Sequence, residues 1–412
     1  MKVLYVVHDF FPHYYGGAER YVLNLCHQMQ RLGHQAHVLT YGLDEPDTGF
    51  PERCGPMLSR SYVFEGIEVT TLRHQEVPAD VQFRVEDGEV AGAVASLLEA
   101  TGTEIVHVAH PMRLASCYLA ARRRGVPVVL TLTDFWLPCP RGRFFKLDFS
   151  PCSSPEEGRK CIRDCHVPGS VIERYQQARR MFDSVATVIA PSRLSIEAFS
   201  RCGWDRPITH ISHGVDYRTV RPLPRRTRKA GRVVLGYTGV LKKFKGVDLL
   251  LRSFRAVPAK NLELRVYGTH VGDEEFRPEL EALAAAEPRV RLLGRYRHED
   301  LPSVMADIDI MVVPSTTLES YGLVVVESLA YGVPVIASNM VGSAHERIRD
   351  GENGFIFPAE RPERLRELIE HVAQDPAVVD RLRGAITLPP RIEEEAFMVE
   401  SVYTEVLRDS RS

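Results

Sequence analysis

The feature that most constrains this chain is an alternation, run twice along 412 residues, of short β-branched runs with stretches at helical spacing. A strand followed by a crossover helix returns to pair in parallel, so the pattern predicts an α/β protein with doubly wound sheets. In the first half, strands are expected at residues 3–7, 36–40, 105–109, 126–131, 185–190 and 208–212, with a helix over 18–32 that Gly33 closes in a left-handed conformation. In the second half they are expected at 233–237, 262–267, 290–293, 308–313 and 333–337. Between the halves, DYRTVRPLPRRTRKAG at 216–231 loses periodicity and fills with Pro and Arg, as an interdomain linker does. The expected domains are 1–215, rejoined by a final helix at about 393–412 after Pro389 and Pro390, and 216–392. Such sheets bind ligands outside the carboxyl ends of their strands, so two of them facing each other are expected to enclose a cleft.

A chain with 44% hydrophobic and 26% charged residues can sustain two cores. Its 52 Lys and Arg against 54 Asp and Glu remove the electrostatic case for a nucleic-acid partner. The apolar run of MKVLYVVHDFF ends at His8 and Asp9 and reads as a first strand, not a signal peptide. No segment approaches the roughly 18 apolar residues of a membrane span. A cytoplasmic protein is expected, with any membrane contact peripheral, at the inner face of the cell membrane. Eight cysteines without an export signal point to thiols or metal ligands before disulfides.

The strongest chemical constellation is VVPSTTLESYGLVVVESLAYGVPVIAS, residues 312–338. A strand ends in a Pro-Ser loop carrying Glu319, Gly322 opens a helix, and Glu327 falls early in it. Backbone N–H groups around Tyr321, Gly322, Leu323 and Val324, with the helix dipole, suit a diphosphate. The loop carboxylate suits sugar hydroxyls and the helical one a ribose, because hydroxyl donors bind an ionised acceptor strongly. A second loop, GYTGVLKKFKGVD at 236–248, places Gly239 and Lys245 where a cation would neutralise a departing pyrophosphate. Near the N-terminus, Gly16 and Gly17 let backbone approach a ligand at the start of the first helix.

The 312–338 segment resembles the signature of glycosyltransferase family 4, the retaining, nucleotide-sugar-dependent family with the GT-B fold of two facing Rossmann-like domains. The similarity runs through nearly the whole chain. It implies that Glu319 contacts the donor sugar, Glu327 the ribose and Lys245 the phosphates, that Gly16 and Gly17 border donor phosphates and acceptor, and that the loop at Tyr296 and Arg297 meets the nucleobase. It also implies same-face transfer, in which the leaving phosphate oxygen takes the acceptor proton, rather than a covalent intermediate. The acceptor is expected to be a glycan, a lipid-linked sugar or a small molecule such as a natural product.

The chain departs from the family in two places. Val240 stands where an arginine often follows the glycine, and Thr133 stands where a histidine commonly contacts the donor sugar, which turns attention to its neighbour Asp134. An insert at about 136–168 carries Cys139, Cys152, Cys161 and Cys165 among Pro, Gly, Arg and Ser, a composition with little core of its own. Zinc on four thiolates, an iron–sulfur cluster, free thiols and disulfides are all open for it. The rival functions are a sugar-nucleotide 2-epimerase of the same fold and a non-catalytic glycosyltransferase-like subunit.

Overall fold

A computed structural model describes residues 1–43, 49–221, 231–270 and 275–411. Most of the proline- and arginine-rich stretch, residues 222–230, lies outside the described residues. Two compact units divide the chain: Met1–His213 with Ile392–Ser412, and Gly214–Arg391.

The first unit is built on a nine-stranded sheet. Its strands are β1 (Lys2–Val6), β2 (Gln35–Tyr41), β3 (Glu52–Cys54), β4 (Met57–Phe64), β5 (Ile67–Arg73), β6 (Ile105–Val108), β7 (Val128–Thr131), β8 (Thr187–Ala190) and β9 (Thr209–His210). Their order is β3-β4-β5-β2-β1-β6-β7-β8-β9, parallel except for the antiparallel pairs β3 with β4 and β4 with β5. That antiparallel edge was not expected from the sequence. Along β4 buried and more exposed residues alternate at its start, the mark of a strand with one covered face, and the run is too polar to stand out as a parallel core strand.

The second unit holds a six-stranded, all-parallel sheet of β10 (Val233–Thr238), β11 (Leu262–Tyr267), β12 (Val290–Gly294), β13 (Ile310–Val313), β14 (Val335–Ser338) and β15 (Gly354–Phe357), in the order β12-β11-β10-β13-β14-β15. The strand β15 was also missed. A Cβ on Gly354 would lie 2.5 Å from the Val335 carbonyl oxygen, so the glycine that hides the strand in the sequence is what lets it close on β14.

The final helix, Ile392–Arg411, packs within the first unit, with Ala396, Val399 and Tyr403 fully buried against the β1 side of its core. The Tyr403 hydroxyl meets Tyr5 Oη at 3.1 Å and His107 Nδ1, and His107 Nε2 reaches Thr131 Oγ1 at 2.7 Å. Tyr21 Oη joins the same Thr131 hydroxyl at 3.2 Å. A polar chain thus runs through the core from the last helix across β1, β6 and β7 to the first helix. Burial holds His107 neutral, its pKa pushed down to about 3. Such a chain is stabilising only while every member is satisfied. Tyr403→Phe is expected to lower stability by about 1–3 kcal/mol, the cost of leaving buried polar partners unpaired. Urea unfolding followed by tyrosine and tryptophan fluorescence checks this.

Candidate functional site

In the second unit the strand order reverses between β10 and β13, and loops leaving two such strands diverge to opposite faces and open a crevice. The loop after β10 turns through Lys243–Lys245 to Gly246, which has φ +71° and precedes the helix Val247–Arg255. A Cβ on Gly246 would sit 1.9 Å from the Pro314 carbonyl oxygen at the end of β13, so only glycine lets the loops touch. Thr316 N donates to Phe244 O at 3.0 Å and sews them together. The consequence is an ion pair: Lys245 Nζ lies 2.8 Å from Glu319 Oε2.

Glu319 is held from every side. Ser315 Oγ donates to its Oε1, its N–H donates to Met340 O at 2.8 Å, and its carbonyl accepts from Gly342 N at 3.2 Å. Ser338 Oγ fixes the start of the same segment by donating to Ser315 O at 2.6 Å. The loop then passes Tyr321, buried, to Gly322, with φ +93°, which caps the helix Leu323–Ala330. A Cβ on Gly322 would meet Val341 Cγ1 at 2.5 Å. Leu323 and Val324 form the half-buried first turn, and Glu327, also half-buried, is the fifth residue of the helix. Two buried hydroxyls in these loops, Thr238 Oγ1 and Thr317 Oγ1, have no hydrogen-bond partner among the described residues. Orphaned buried hydroxyls beside an ion pair are the mark of a site that awaits a polar ligand.

The structure therefore brings together Gly239, Lys245, Glu319, Tyr321, Gly322, Leu323, Val324 and Glu327 around the β10 and β13 loops. Tyr296 and Arg297 lie apart, after the edge strand β12. Tyr296 packs edge-on against Tyr267, and the exposed Arg297 guanidinium faces Asp300 and Glu299 of its own turn.

The first unit has its own reversal, between β1 and β6. Residues just beyond β1, β6 and β7 gather there with the start of the helix Gly17–Arg31. His110 Nε2 pairs with Asp134 Oδ2 at 2.8 Å, and the His110 ring stacks on His8 with centroids 3.8 Å apart. Arg113 pairs with Asp9 at 2.8 Å, and His8 Nε2 lies 3.4 Å from Asp9 and 3.7 Å from Glu19. Gly16 is the helix cap, and the Glu19 carboxylate folds back against it, so a Cβ on Gly16 would sit 2.2 Å from Glu19 Oε2. Gly17 is the first helical residue. Thr133 donates its hydroxyl to Ala109 O and so spends it on the backbone.

Sequence reasoning found Asp134 and the two glycines but not His8, Asp9 and Arg113 beside them. His8, Asp9, Glu19, His110 and Arg113 come from three separated stretches. What marked them was only that each follows a strand expected beside the reversal. Burial raises the Glu19 pKa to about 7, with Asp9 adding to the rise, while burial first and then His110, Arg113 and Arg143 hold His8 well below the usual imidazole range.

Because its folded pKa is raised, Glu19 contributes most to stability below pH about 4.5 and that contribution is lost as the pH climbs to about 7. His8 acts in the opposite sense, being lowered, but it is present in both wild type and a Glu19→Gln variant. The stability of Glu19→Gln relative to wild type is therefore expected to rise between pH 5 and pH 8, as measured by thermal unfolding at each pH. A flat difference across that window would refute the buried carboxylate. In the second unit, Gly246→Ala should force the β10 and β13 loops apart and lower stability by about 1–3 kcal/mol, the cost of strain at a left-handed, closely packed position. Urea unfolding reads this directly.

Residues 15–219 match the family described as Glycosyltransferase Family 4, and residues 223–386 match Glycosyl transferases group 1. The chain is 31% identical over 400 residues to a D-inositol 3-phosphate glycosyltransferase of Rhodococcus erythropolis, covering 92% of this chain and 83% of that protein. A protein of the same name from Rhodococcus opacus is 26% identical over 406 residues, covering 92% and 82%. Among solved structures, a sucrose-phosphate synthase from Thermosynechococcus elongatus superposes with a TM-score of 0.75 at 17% identity, covering 99% of both chains. The HepE protein of Anabaena, solved with UDP and glucose, superposes with a TM-score of 0.70 at 20% identity, covering 98% of this chain and all of that one. The matches over both units, together with the switch-point loops that carry the family's acidic pair, identify the chain as a member of glycosyltransferase family 4 with the GT-B fold, a retaining, nucleotide-sugar-dependent transferase.

Proposed function

We propose that the β10 and β13 loops of the second unit hold the nucleotide-sugar donor and that Lys245 and Glu319 divide its two ends. The observation that carries this reading is the Lys245–Glu319 ion pair, which joins the β10 loop to the β13 loop that leads into the helix Leu323–Ala330. An arriving diphosphate offers Lys245 a stronger partner and turns Glu319 Oε2 towards hydrogen bonds from sugar hydroxyls. The half-buried Glu327 takes the ribose hydroxyls, and the backbone of Gly239 and of residues 321–324 takes phosphate oxygens.

Transfer then proceeds on one face of the sugar. The bond from the anomeric carbon to the phosphate oxygen breaks and that to the acceptor oxygen forms. The acceptor proton passes to the departing phosphate oxygen, and Lys245 offsets the charge that grows there, an effect larger in the transition state than in the ground state. The loop at Tyr296 and Arg297 is assigned to the nucleobase.

The acceptor is proposed to be a polyol in glycan or glycolipid synthesis. Support comes from relatives named for D-inositol 3-phosphate and from a Corynebacterium glutamicum protein named as a GDP-mannose-dependent mannosyltransferase acting on a monoacylated phosphatidylinositol monomannoside, 27% identical over 227 residues. The loop ends of β1, β6 and β7, with Asp134 among them and with Gly16 and Gly17 at the start of the first helix, are assigned to it. His8 Nδ1 there is buried with no partner among the described residues, as suits a group waiting for a hydroxyl. No described helix is long and apolar enough to cross a membrane, so a lipid-linked acceptor would be met from the membrane surface, here proposed as the inner face.

Incubating the protein with a panel of nucleotide sugars and polyol acceptors, and scoring nucleoside diphosphate and glycoside by mass spectrometry, tests the reading. Lys245→Ala is expected to lower kcat about 10²–10³-fold, the range for removing one stabiliser of transition-state charge. Wild-type turnover in both Lys245→Ala and Glu319→Gln would remove the assignment.

A further inference from the structure

The four cysteines of the insert are not absorbed by the transfer chemistry. They come from one loop, yet all four line a single small pocket together with Arg141, Phe145, Lys146, Lys160 and Asp164. All are free thiols; Cys139 and Cys161 are buried and Cys152 and Cys165 half-buried. Residues 134–170 have little regular structure, mainly the helix Arg159–Cys165. The backbone around them is unusual. Phe144, Phe149, Glu156, Glu157 and His166 all have positive φ, five of the seven non-glycine residues that do so among the described residues. Each such residue is strained and persists only where its surroundings over-determine it. Aromatic packing in the loop includes Phe144 against Phe135 and Phe145 against Phe149.

A second observation points to a charged occupant. The side chain of Arg174 is buried, 6% exposed as a residue, and lies within electrostatic reach of Cys139 and Cys161. Two of its nitrogens donate to Trp136 O and Leu137 O, but its Nε is buried with no hydrogen-bond partner among the described residues. The Nε of Arg141, in the pocket wall, is in the same condition. Two buried guanidinium N–H groups without partners, beside four sulfurs and two lysines, fit neutral thiols poorly and metal-bound thiolates well. Four thiolates around one dication carry a net negative charge, and N–H donors to their sulfurs are the usual outer support of such centres.

We propose that Cys139, Cys152, Cys161 and Cys165 are the four thiolate ligands of a structural metal centre that holds the insert together. The donor set selects a thiophilic occupant, zinc(II) or an iron–sulfur cluster, over hard cations. The compact three-donor group among the described residues is His8, Asp9 and Glu19, not a set of these thiols, so a single zinc ion, with sulfurs at about 2.3 Å, draws the four inward, whereas a polynuclear cluster accepts a wider ring. The centre bears on the acceptor side through the backbone. Cys139 N donates to Phe135 O at 2.9 Å, Gly142 N to Cys139 O at 2.7 Å, and Phe135 N to Gly142 O at 3.3 Å, a loop that begins at Asp134 and folds back beneath it. Pinning Cys139 thus pins the Asp134 that pairs with His110.

The test uses the full chain, purified without chelators and, in parallel, under anaerobic conditions. Metal and acid-labile sulfide are quantified and the absorption spectrum recorded. One zinc per chain, or iron with matching sulfide and visible thiolate-to-iron absorption, supports the centre and names its occupant. Cys161→Ser and Cys165→Ser should each lose at least about half of that metal, while Cys54→Ser, on β3, keeps it. Should Cys161→Ser fail to fold, chelator treatment of the wild type is read instead: metal release should raise the reactive thiols by four and open the insert to limited proteolysis, with nucleoside diphosphate binding by the second unit unchanged. Metal-free protein from both preparations, or disulfides among these cysteines by mass spectrometry of the anaerobic sample, would overturn the proposal.

Discussion

The rest of this protein depends on one constraint, the reversal of strand order beside the first strand of each sheet. At β10 and β13, and again at β1 and β6, crossovers leave in opposite directions, so the loops at the carboxyl ends have no neighbour between them. A gathering of polar and charged groups lies at each of these two places. They are furnished differently. In the second unit the loops are sewn by backbone contacts, and the glycines 246, 268 and 322 permit approaches that a side chain would forbid: a Cβ on Gly268 would lie 1.8 Å from the Gly239 carbonyl oxygen. In the first unit the gathering is made of charged and imidazole side chains on three loops, with glycine playing its part only at the helix cap.

That difference has energetic meaning. A site made of backbone is rigid before its ligand arrives, so little conformational entropy remains to be lost on binding a diphosphate. A site made of buried titratable groups stores its cost in electrostatics. A carboxylate raised to about 7 beside an imidazole held neutral is a pair poised to change charge state with its occupant. The first arrangement is fixed in shape, and the second can respond in charge.

How much of this could be read from the sequence follows from the same contrast. The β10 and β13 loops were legible because their parts are consecutive: strand, Pro-Ser, Glu319, Gly322 and Glu327 lie within one run, and Lys245-Gly246 within another. Most of the central parallel strands were legible because they are buried on both faces and so continuously apolar. The strands β3 and β4 at the antiparallel edge were not, since a polar or alternating strand resembles a loop. The first-unit cluster was hidden for another reason. His8, Glu19 and His110 each have an ordinary local explanation, a strand end or a helix cap, and only the β1-β6-β7 register places them in contact.

The register also changes the meaning of Thr133. Read as a line of residues, it stands where the family commonly has a histidine, which suggests a lost polar group. In the fold its hydroxyl is tied to Ala109 O, across on the loop after β6, and the residue next to that carbonyl is His110. An imidazole nevertheless stands beside this position: His110, from the β6 loop, is bound to the very Asp134 that follows Thr133 and stacks on His8 from β1. A polar group at a strand terminus can come from a neighbouring parallel strand as well as from its own. The threonine acts as a tie between the two loops, so that His110 stays aligned with its carboxylate.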